Sequence, residues 1–557
     1  MWWSIIVLTI FSSLVSGNPI SDDAVLELSV IHFNDFHARF QEISKSAGTC
    51  TNPTSCIGGF SRLYQQIQTL LAEQPDSVLL SAGDNFQGTL YYTVGKWNIT
   101  QEFMNKLPLA ATVLGNHEFD DGIDGIVPFL KSMTTPVICS NIDDAGEPDI
   151  QGTYKKSVVI ERNGKKIGII GVLYSETNTI SSSGNLVFLP ESASVNAEAE
   201  RLVKEEGVFT NIVLSHVGYD IDQQIAANAT GKIGLIVGGH SNTFLYTGDN
   251  PPGPDTPAGP YPTIVQSTAG KNVHIVQASA YTKYLGNIKV SYNSEGDVVA
   301  SNGAPIYLDN SLPKNAEIDA ALAPWTALVE AQGSVVLGST LVTLSKSDCF
   351  SKECTLGNFI TDAFVFAYTQ HADNGSWTRA PIAFMNSGGI RTDIQVGNIT
   401  YSDLILAQPF ANTVDYGELQ GVHLKALLEQ AGRAFNNQRL MSELSLLQVS
   451  GIHVVYNISK PIGERVVDVK VRCQRCEIPV YEDLDLEAVY SIVVPSFLVG
   501  GGDDFTALTD NLKNLIIGQT DTDIFREYLK NRSPIFEEEQ GRITVISDHK
   551  IETRGFE

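Results

Sequence analysis

Five short apolar runs in the first half of the chain each end in a residue able to bind a divalent ion, and that repetition restricts the fold most. The run Leu26–Phe33 leads into Asn34, Asp35, Phe36 and His37. Residues 78–82 lead into Gly83, Asp84 and Asn85, and residues 112–114 into Gly115, Asn116, His117 and Glu118. Residues 212–214 lead into Ser215 and His216, and Ile233–Val237 into Gly238, Gly239, His240, Ser241 and Asn242. Another apolar run, residues 166–172, lies among them, and helical spacing separates the runs, as at residues 60–74 and 193–206. Residues 25–290 therefore predict an α/β domain with layered sheets. Ligand sites in such sheets lie beyond the carboxyl ends of strands, so the five endings can converge on one spot. A single His or Asp closing a strand is ordinarily a turn residue or a cap. Five coordinating strand ends in one domain predict a metal site.

The donors are Asp, His and Asn with no Cys, a set suited to borderline or hard divalent ions such as zinc or manganese. A carboxylate such as Asp84 can bridge two ions. Two metals about 3.5–4 Å apart can activate a water, hold a phosphoryl oxygen and balance developing charge.

The remaining organisation is simpler. Residues 249–262 are rich in Pro and Gly and read as a loop inserted in the first domain. Residues 314–332 carry Ile318, Ala321, Leu322, Trp325 and Leu328 at helical spacing and end at Gly333. They predict one helix joining two regions, either a packed connector or a hinge. The expected boundaries are 18–312 for the first domain, 313–335 for the connector, 336–547 for a second α/β domain and 548–557 for a polar tail.

Charge narrows the partners. The 557 residues include 37 basic and 63 acidic side chains, a formal net charge of −26. Such a field repels nucleic acid and anionic membrane, so neither is expected as a partner. An anionic substrate binds only where a metal or a local arginine reverses the sign. Residues 1–17 read as a signal peptide: an apolar run from Trp2 to Val15, then Ser16 and Gly17, too short to span a bilayer comfortably. Six sequons begin at Asn98, Asn228, Asn374, Asn398, Asn457 and Asn531, as expected of a glycosylated surface. The cysteines form close pairs, Cys50 with Cys56, Cys349 with Cys354 and Cys473 with Cys476, which in a secreted protein read as three short-loop disulfides. A four-cysteine zinc site from the last two pairs, or redox chemistry at Cys473 and Cys476, is the alternative; Cys139 is expected to be a buried free thiol. The carboxyl end carries no apolar tail of the lipid-anchor type, so a released protein without a membrane anchor is expected.

With these motifs in order, the chain resembles the 5′-nucleotidase/apyrase family, from the stretch between Ile31 and His37 to Gly541, Arg542 and Ile543. The resemblance implies a two-domain α/β protein. Its N-terminal domain would be a layered metallophosphoesterase α/β/β/α sandwich, joined by a helix to a C-terminal α/β nucleotide-binding domain. One ion would be held by Asp35, His37, Asp84 and Asn242, the other by Asp84, Asn116, His216 and His240. Zinc is the leading choice, with calcium, magnesium and manganese as alternatives. His117 and Asp120 resemble the catalytic dyad: an imidazolium held by a carboxylate stabilises charge in an in-line phosphoryl transfer. In the second domain Phe410 and Phe497 match a base-sandwiching pair, Asn386 would face the base or ribose, Arg391 the phosphate, and Asp503 the ribose. One position departs from the pattern. Phe350 stands where many relatives carry a ligand-contacting arginine, with Lys352 nearby.

The activity implied is removal of terminal phosphates from extracellular ATP and ADP, as in the soluble salivary apyrases of blood-feeding arthropods. By resemblance that activity would suppress ADP-driven platelet aggregation. A soluble 5′-nucleotidase acting on AMP is the runner-up, and a non-enzymatic nucleotide or receptor binder on the same scaffold is a third reading.

Overall fold

The computed structural model describes residues 24–547 except 46, 48, 49, 51, 370–374, 411, 436–445 and 517. The expected signal peptide, the sequon at Asn374 and the polar tail lie outside the described residues.

In the first half the apolar runs form two facing sheets. Leu26–Phe33 lies inside a seven-stranded sheet, parallel to Val78–Ser81 with Val30 opposite Val78, and antiparallel to Tyr284–Tyr292 with Leu28 opposite Val290. Ala111–Val113 and Val137–Ile138 extend the parallel side. The second sheet has six strands, in the order Ser157–Arg162, Lys165–Leu173, Thr210–His216, Ile233–Val237, Asn272–Val276, Thr263–Gln266. Side chains of Val30, Leu80, Val113, Ile169, Ile212 and Leu235 fill the space between the sheets and are all buried. Burial on both faces explains why these strands read as continuous apolar runs rather than alternating ones.

Helices cover the outer faces. Phe60–Glu73, Leu90–Met104 and Gly122–Ser132 pack on the first sheet through Phe60, Leu63, Phe103 and Phe129. Glu191–Arg201 and Tyr219–Ala227 pack on the second through Val195, Ala199 and Ile225. This is the four-layer sandwich that the family resemblance implies. The helical spacing read at 193–206 is one α-helix followed by a wider turn, Leu202–Glu206, stopped by Gly207 in the left-handed region. Residues 249–262 form no regular helix or strand.

Ala316–Gly333 is the helix between the halves. The Asn315 side chain accepts from the backbone N–H groups of Glu317 and Ile318, which caps its first turn. It is docked along its length: Trp325 Nε1 donates to Glu102 at 3.0 Å, and the Tyr91 and Thr326 hydroxyls meet at 2.7 Å. It also touches Tyr401–Ala407 of the second half.

That second half is built on a five-stranded mixed sheet, in the order Leu447–Ser450, Ile382–Asn386, Val489–Pro495, Val414–Gln420, Lys513–Ile516. Thr355–Thr369 and Asp521–Arg532 cover one face and Gly421–Ala431 the other.

All three expected disulfides are formed. Cys50 is bonded to Cys56, Cys349 to Cys354 and Cys473 to Cys476. The zinc alternative is thereby corrected, because sulfurs spent on bonds to one another hold no ion as thiolates. Cys56 and Cys354 are both buried, and Cys354 packs with Cys349 into the core of the second half. Cys139 is free and buried, and burial pushes its thiol up to about 12. No described helix is long and apolar enough to cross a membrane.

Candidate active site

The strand ends do converge. Asp35, His37, Asp84, His240 and Asn242 all sit just past strands with φ between 48° and 74°. Non-glycine residues seldom adopt that left-handed conformation, and such strain gathers where a site demands it.

Asp84 is the centre. Its Oδ2 lies 3.1 Å from His216 Nε2 and 3.6 Å from His37 Nε2, while Oδ1 accepts the His117 backbone N–H at 3.0 Å. Asp35 Oδ1 is 3.9 Å from His37 Nε2, and the Asp35 carboxylate accepts the His240 backbone N–H at 3.0 Å. His240 Nδ1 meets Asn116 Oδ1 at 2.9 Å. Two groups, one of His37, Asp84 and His117 and one of Asp84, His216 and His240, bring ligand-type atoms within 4.8 Å of one another and share Asp84.

Backbone carbonyls aim two of the imidazoles. His216 Nδ1 bonds Ala82 O at 2.6 Å and His37 Nδ1 bonds Phe86 O at 3.3 Å, so each Nε2 turns toward Asp84. Within the set, the buried atoms His216 Nε2 and Asn242 Oδ1 lack a well-directed hydrogen-bond partner among the described residues. Buried acceptors left without donors are what a cation satisfies, so the residues fit a metal.

His117 and Asp120 are paired, Nδ1 to Oδ2 at 2.7 Å. The second Asp120 oxygen accepts the Ser181 hydroxyl at 2.8 Å. Burial opposes protonation of His117, but the charges of Asp120 and Asp84 outweigh it and raise its pKa. Burial likewise opposes ionisation of Asp84, yet His216, His117 and His37 hold its carboxyl well below the usual range.

Glu118 ties two loops of candidate ligands together. Its carboxylate accepts backbone N–H groups from Asp84, Asn85, Phe86 and Gly115 at 3.1, 2.7, 3.3 and 2.6 Å. Gly115 must lack a side chain, because a Cβ there would strike Asp84 and Glu118.

The second half reaches this centre. The Phe410 ring stacks on His117 with centroids 5.4 Å apart. Arg391 lies 5.7 Å over Phe410, and its Nη2 donates to the Tyr281 hydroxyl of the first half at 3.5 Å. Asn386 Nδ2 donates to Asp503 Oδ2 at 2.9 Å, so these two sequence candidates meet each other. Phe497 is half-buried, with Gly502 packed beneath its ring. Asn412 Oδ1 accepts from the Phe497 backbone at 3.0 Å and from the Ser496 hydroxyl at 3.2 Å, which links the two aromatic segments. Lys352 pairs with Asp348 and Glu539 at 3.3 and 3.1 Å. It therefore does not replace an arginine at position 350.

Residues 28–244 match the family model described as calcineurin-like phosphoesterase, and residues 335–510 match that for the 5′-nucleotidase C-terminal domain. An apyrase of Tabanus yao is 46% identical over 96% of this chain and 98% of its own. The chain belongs to the 5′-nucleotidase/apyrase family. A 5′-nucleotidase of Rattus norvegicus is 39% identical, covering 93% of this chain and 90% of its own. The crystal structure of a 5′-nucleotidase precursor from Thermus thermophilus superposes with a TM-score of 0.85 at 32% identity, covering 94% and 99% of the two chains.

As a member of this family the chain is a nucleotide-hydrolysing phosphohydrolase whose metallophosphoesterase fold takes divalent metal ions. The reading as a non-enzymatic binder falls away. The sequence pattern flagged the metal-ligand candidates, yet it assigned no role to Glu118, Ser181, Asn412 or Tyr281. For Glu118 the one available signal was an acidic residue inside a glycine-flanked loop of ligand-type residues.

Proposed function

We propose that this family member is a secreted apyrase that removes terminal phosphates from extracellular ATP and ADP. The observation that carries the reading is the meeting of the halves: the Arg391 guanidinium and the Phe410 ring stand against His117 and the Asp84 cluster. Similarity to the Tabanus apyrase over nearly the whole chain supports the choice of substrate.

Asp35, His37, Asp84 and Asn242 would hold one divalent ion, and Asp84, Asn116, His216 and His240 the second, with zinc the leading choice. Bound there, the ions supply an activated water for in-line attack and charge for the phosphoryl oxygens. His117, protonated and oriented by Asp120, neutralises charge on the transferring group from its free Nε2. Arg391 grips the phosphate with paired donors, and Phe410 and Phe497 stack on the base. Asn386 orients Asp503 toward the ribose.

Hydrolysis of AMP to adenosine is the second reading, favoured by the 39% identity to a 5′-nucleotidase. Phosphate release from ATP, ADP and AMP, measured side by side with zinc supplied, separates the two; a rate on AMP exceeding those on ADP and ATP would overturn the first. Removing ADP would suppress platelet aggregation, which is the role the resemblance implies.

For secretion, the support is three formed disulfides and exposed sequon asparagines at 98, 228, 398 and 531. Asn457 is 7% exposed, so the fold makes it the poorest glycan acceptor of the described five.

A further inference from the structure

Beside the metal cluster the charge of the molecule reverses. Arg39, Lys346 and Arg391 come from three distant segments and both halves of the chain; Arg39 and Arg391 both contact Tyr281, and the Lys346 loop is tied by its backbone to Asp393, two residues from Arg391. Arg39 is 1% exposed, with its guanidinium 4.6 Å from the Tyr281 ring centroid. Its Nη1 donates to His37 O at 3.1 Å and to Gly88 O, while Nε and Nη2 find no partner among the described residues. The Lys346 ammonium stands 5.4 Å over the ring of Phe350. Asp393 Oδ1 accepts the Lys346 backbone N–H at 2.8 Å, which sets the loop, and nearby Lys283 is already paired with Asp255 at 2.8 Å.

Among the described residues none of Arg39, Lys346 and Arg391 makes an ion pair, in a protein of net charge −26. Like charges gathered in a partly desolvated cleft repel one another, so the arrangement costs stability unless an anion enters. The scissile phosphate already has the metal ligands and His117. A second phosphate would meet the cations that lack an ion pair among the described residues.

We propose that Lys346, with Arg391 beside it and Arg39 behind Tyr281, forms a second anion subsite for the phosphate next to the scissile one in nucleoside di- and triphosphates. The inference rests on the apyrase reading and names the group that gives it selectivity, since a monophosphate has nothing to offer this subsite. Phe350 serves as the platform for the ammonium, so the cation absent at position 350 is supplied from four residues upstream. A lysine is a flexible point charge and can follow phosphates at slightly different depths.

The test compares wild type, Lys346→Gln and Lys346→Arg in two assays on the whole protein. One measures kcat/KM on ADP and on AMP. The other measures inhibition of p-nitrophenyl phosphate cleavage by α,β-methylene ADP and by inorganic phosphate. One charge-assisted hydrogen bond predicts that Lys346→Gln lowers the ADP:AMP ratio about tenfold or more. The inhibition constant of the diphosphate analogue should rise by a similar factor relative to that of inorganic phosphate, and Lys346→Arg should restore both. Ratios that stay within about twofold, or that do not move because both members fall together, would overturn the subsite. If wild type releases no phosphate from ADP, the apyrase reading fails by itself, and the inhibition ratio still decides the subsite.

Discussion

The imidazole of His117 and the ring of Phe410 lie face to face, with centroids 5.4 Å apart and planes 15° from parallel. They belong to opposite halves of the chain, so the candidate reaction centre and the proposed base pocket would share a wall. Phe410→Ala removes that wall from both sides. Base stacking is worth ~1–3 kcal/mol, so kcat/KM on nucleotides should fall about tenfold relative to that on p-nitrophenyl phosphate. The small ester should lose a lesser amount, because His117 is opened to water. Equal losses on both substrates would refute stacking on the base.

Asp120 is gripped at both oxygens, by His117 at 2.7 Å and by Ser181 at 2.8 Å. Ser181 thereby fixes the carboxylate that orients the imidazole. Ser181→Ala should lower kcat by about three- to tenfold, the worth of one hydrogen bond, with KM nearly constant. Ser181→Thr, which keeps the hydroxyl, should recover most of the rate. A drop in KM-sensitive binding instead of kcat would remove Ser181 from this chain of contacts.

The contrast between these residues shows what a sequence can carry. Asp35, Asp84, Asn116, His216 and His240 were legible because each closes an apolar run, and strand direction brings such ends together. The layered α/β architecture was legible for the same reason, while the four-layer order came with the family resemblance. Ser181 was not: it lies 61 residues from Asp120, in a polar stretch with no periodicity, and meets it only through tertiary packing. Lys346 was equally hidden. Its loop gives no local sign that its charge acts on Tyr281 and Arg391. Phe410 and Phe497 looked like core aromatics in composition, and only the family resemblance set them apart. Asn412, which ties the Phe497 segment to the one that carries Phe410, is an unremarked amide in the chain.

Glu118 carries a stability prediction. It is 1% exposed and its carboxylate accepts four backbone N–H groups from two ligand loops. Glu118→Ala leaves those donors buried and unmet, each at a cost of about 1–3 kcal/mol, so a lowered melting temperature and loss of bound metal should appear together. Glu118→Gln keeps one acceptor oxygen and should fall between. A variant that keeps its melting temperature and metal would show that water replaces the carboxylate.

His117 lies close enough to His37 and Asp84 to count as a ligand, all three offering atoms within 4.8 Å of one another. Its Nδ1 bond to Asp120 argues for a different role, and metal content can decide between them. Asp84 Oδ2 stands between His216 and His37, so Asp84→Ala should empty both metal groups, and its melting temperature should no longer respond to a chelator. Wild type should respond, because an ion that binds only the folded chain stabilises it by RT ln(1 + [L]/Kd). That gain would offset the left-handed backbone of the five candidate ligands, which the chain must otherwise hold unaided. His117→Ala should keep about two ions per chain and the wild-type response to chelation, while turnover falls by roughly two or more orders of magnitude. Elemental analysis beside a chelator titration reads both quantities on the same sample. Metal lost from His117→Ala would move that imidazole into the coordination set and out of the role of neutralising the developing phosphoryl charge.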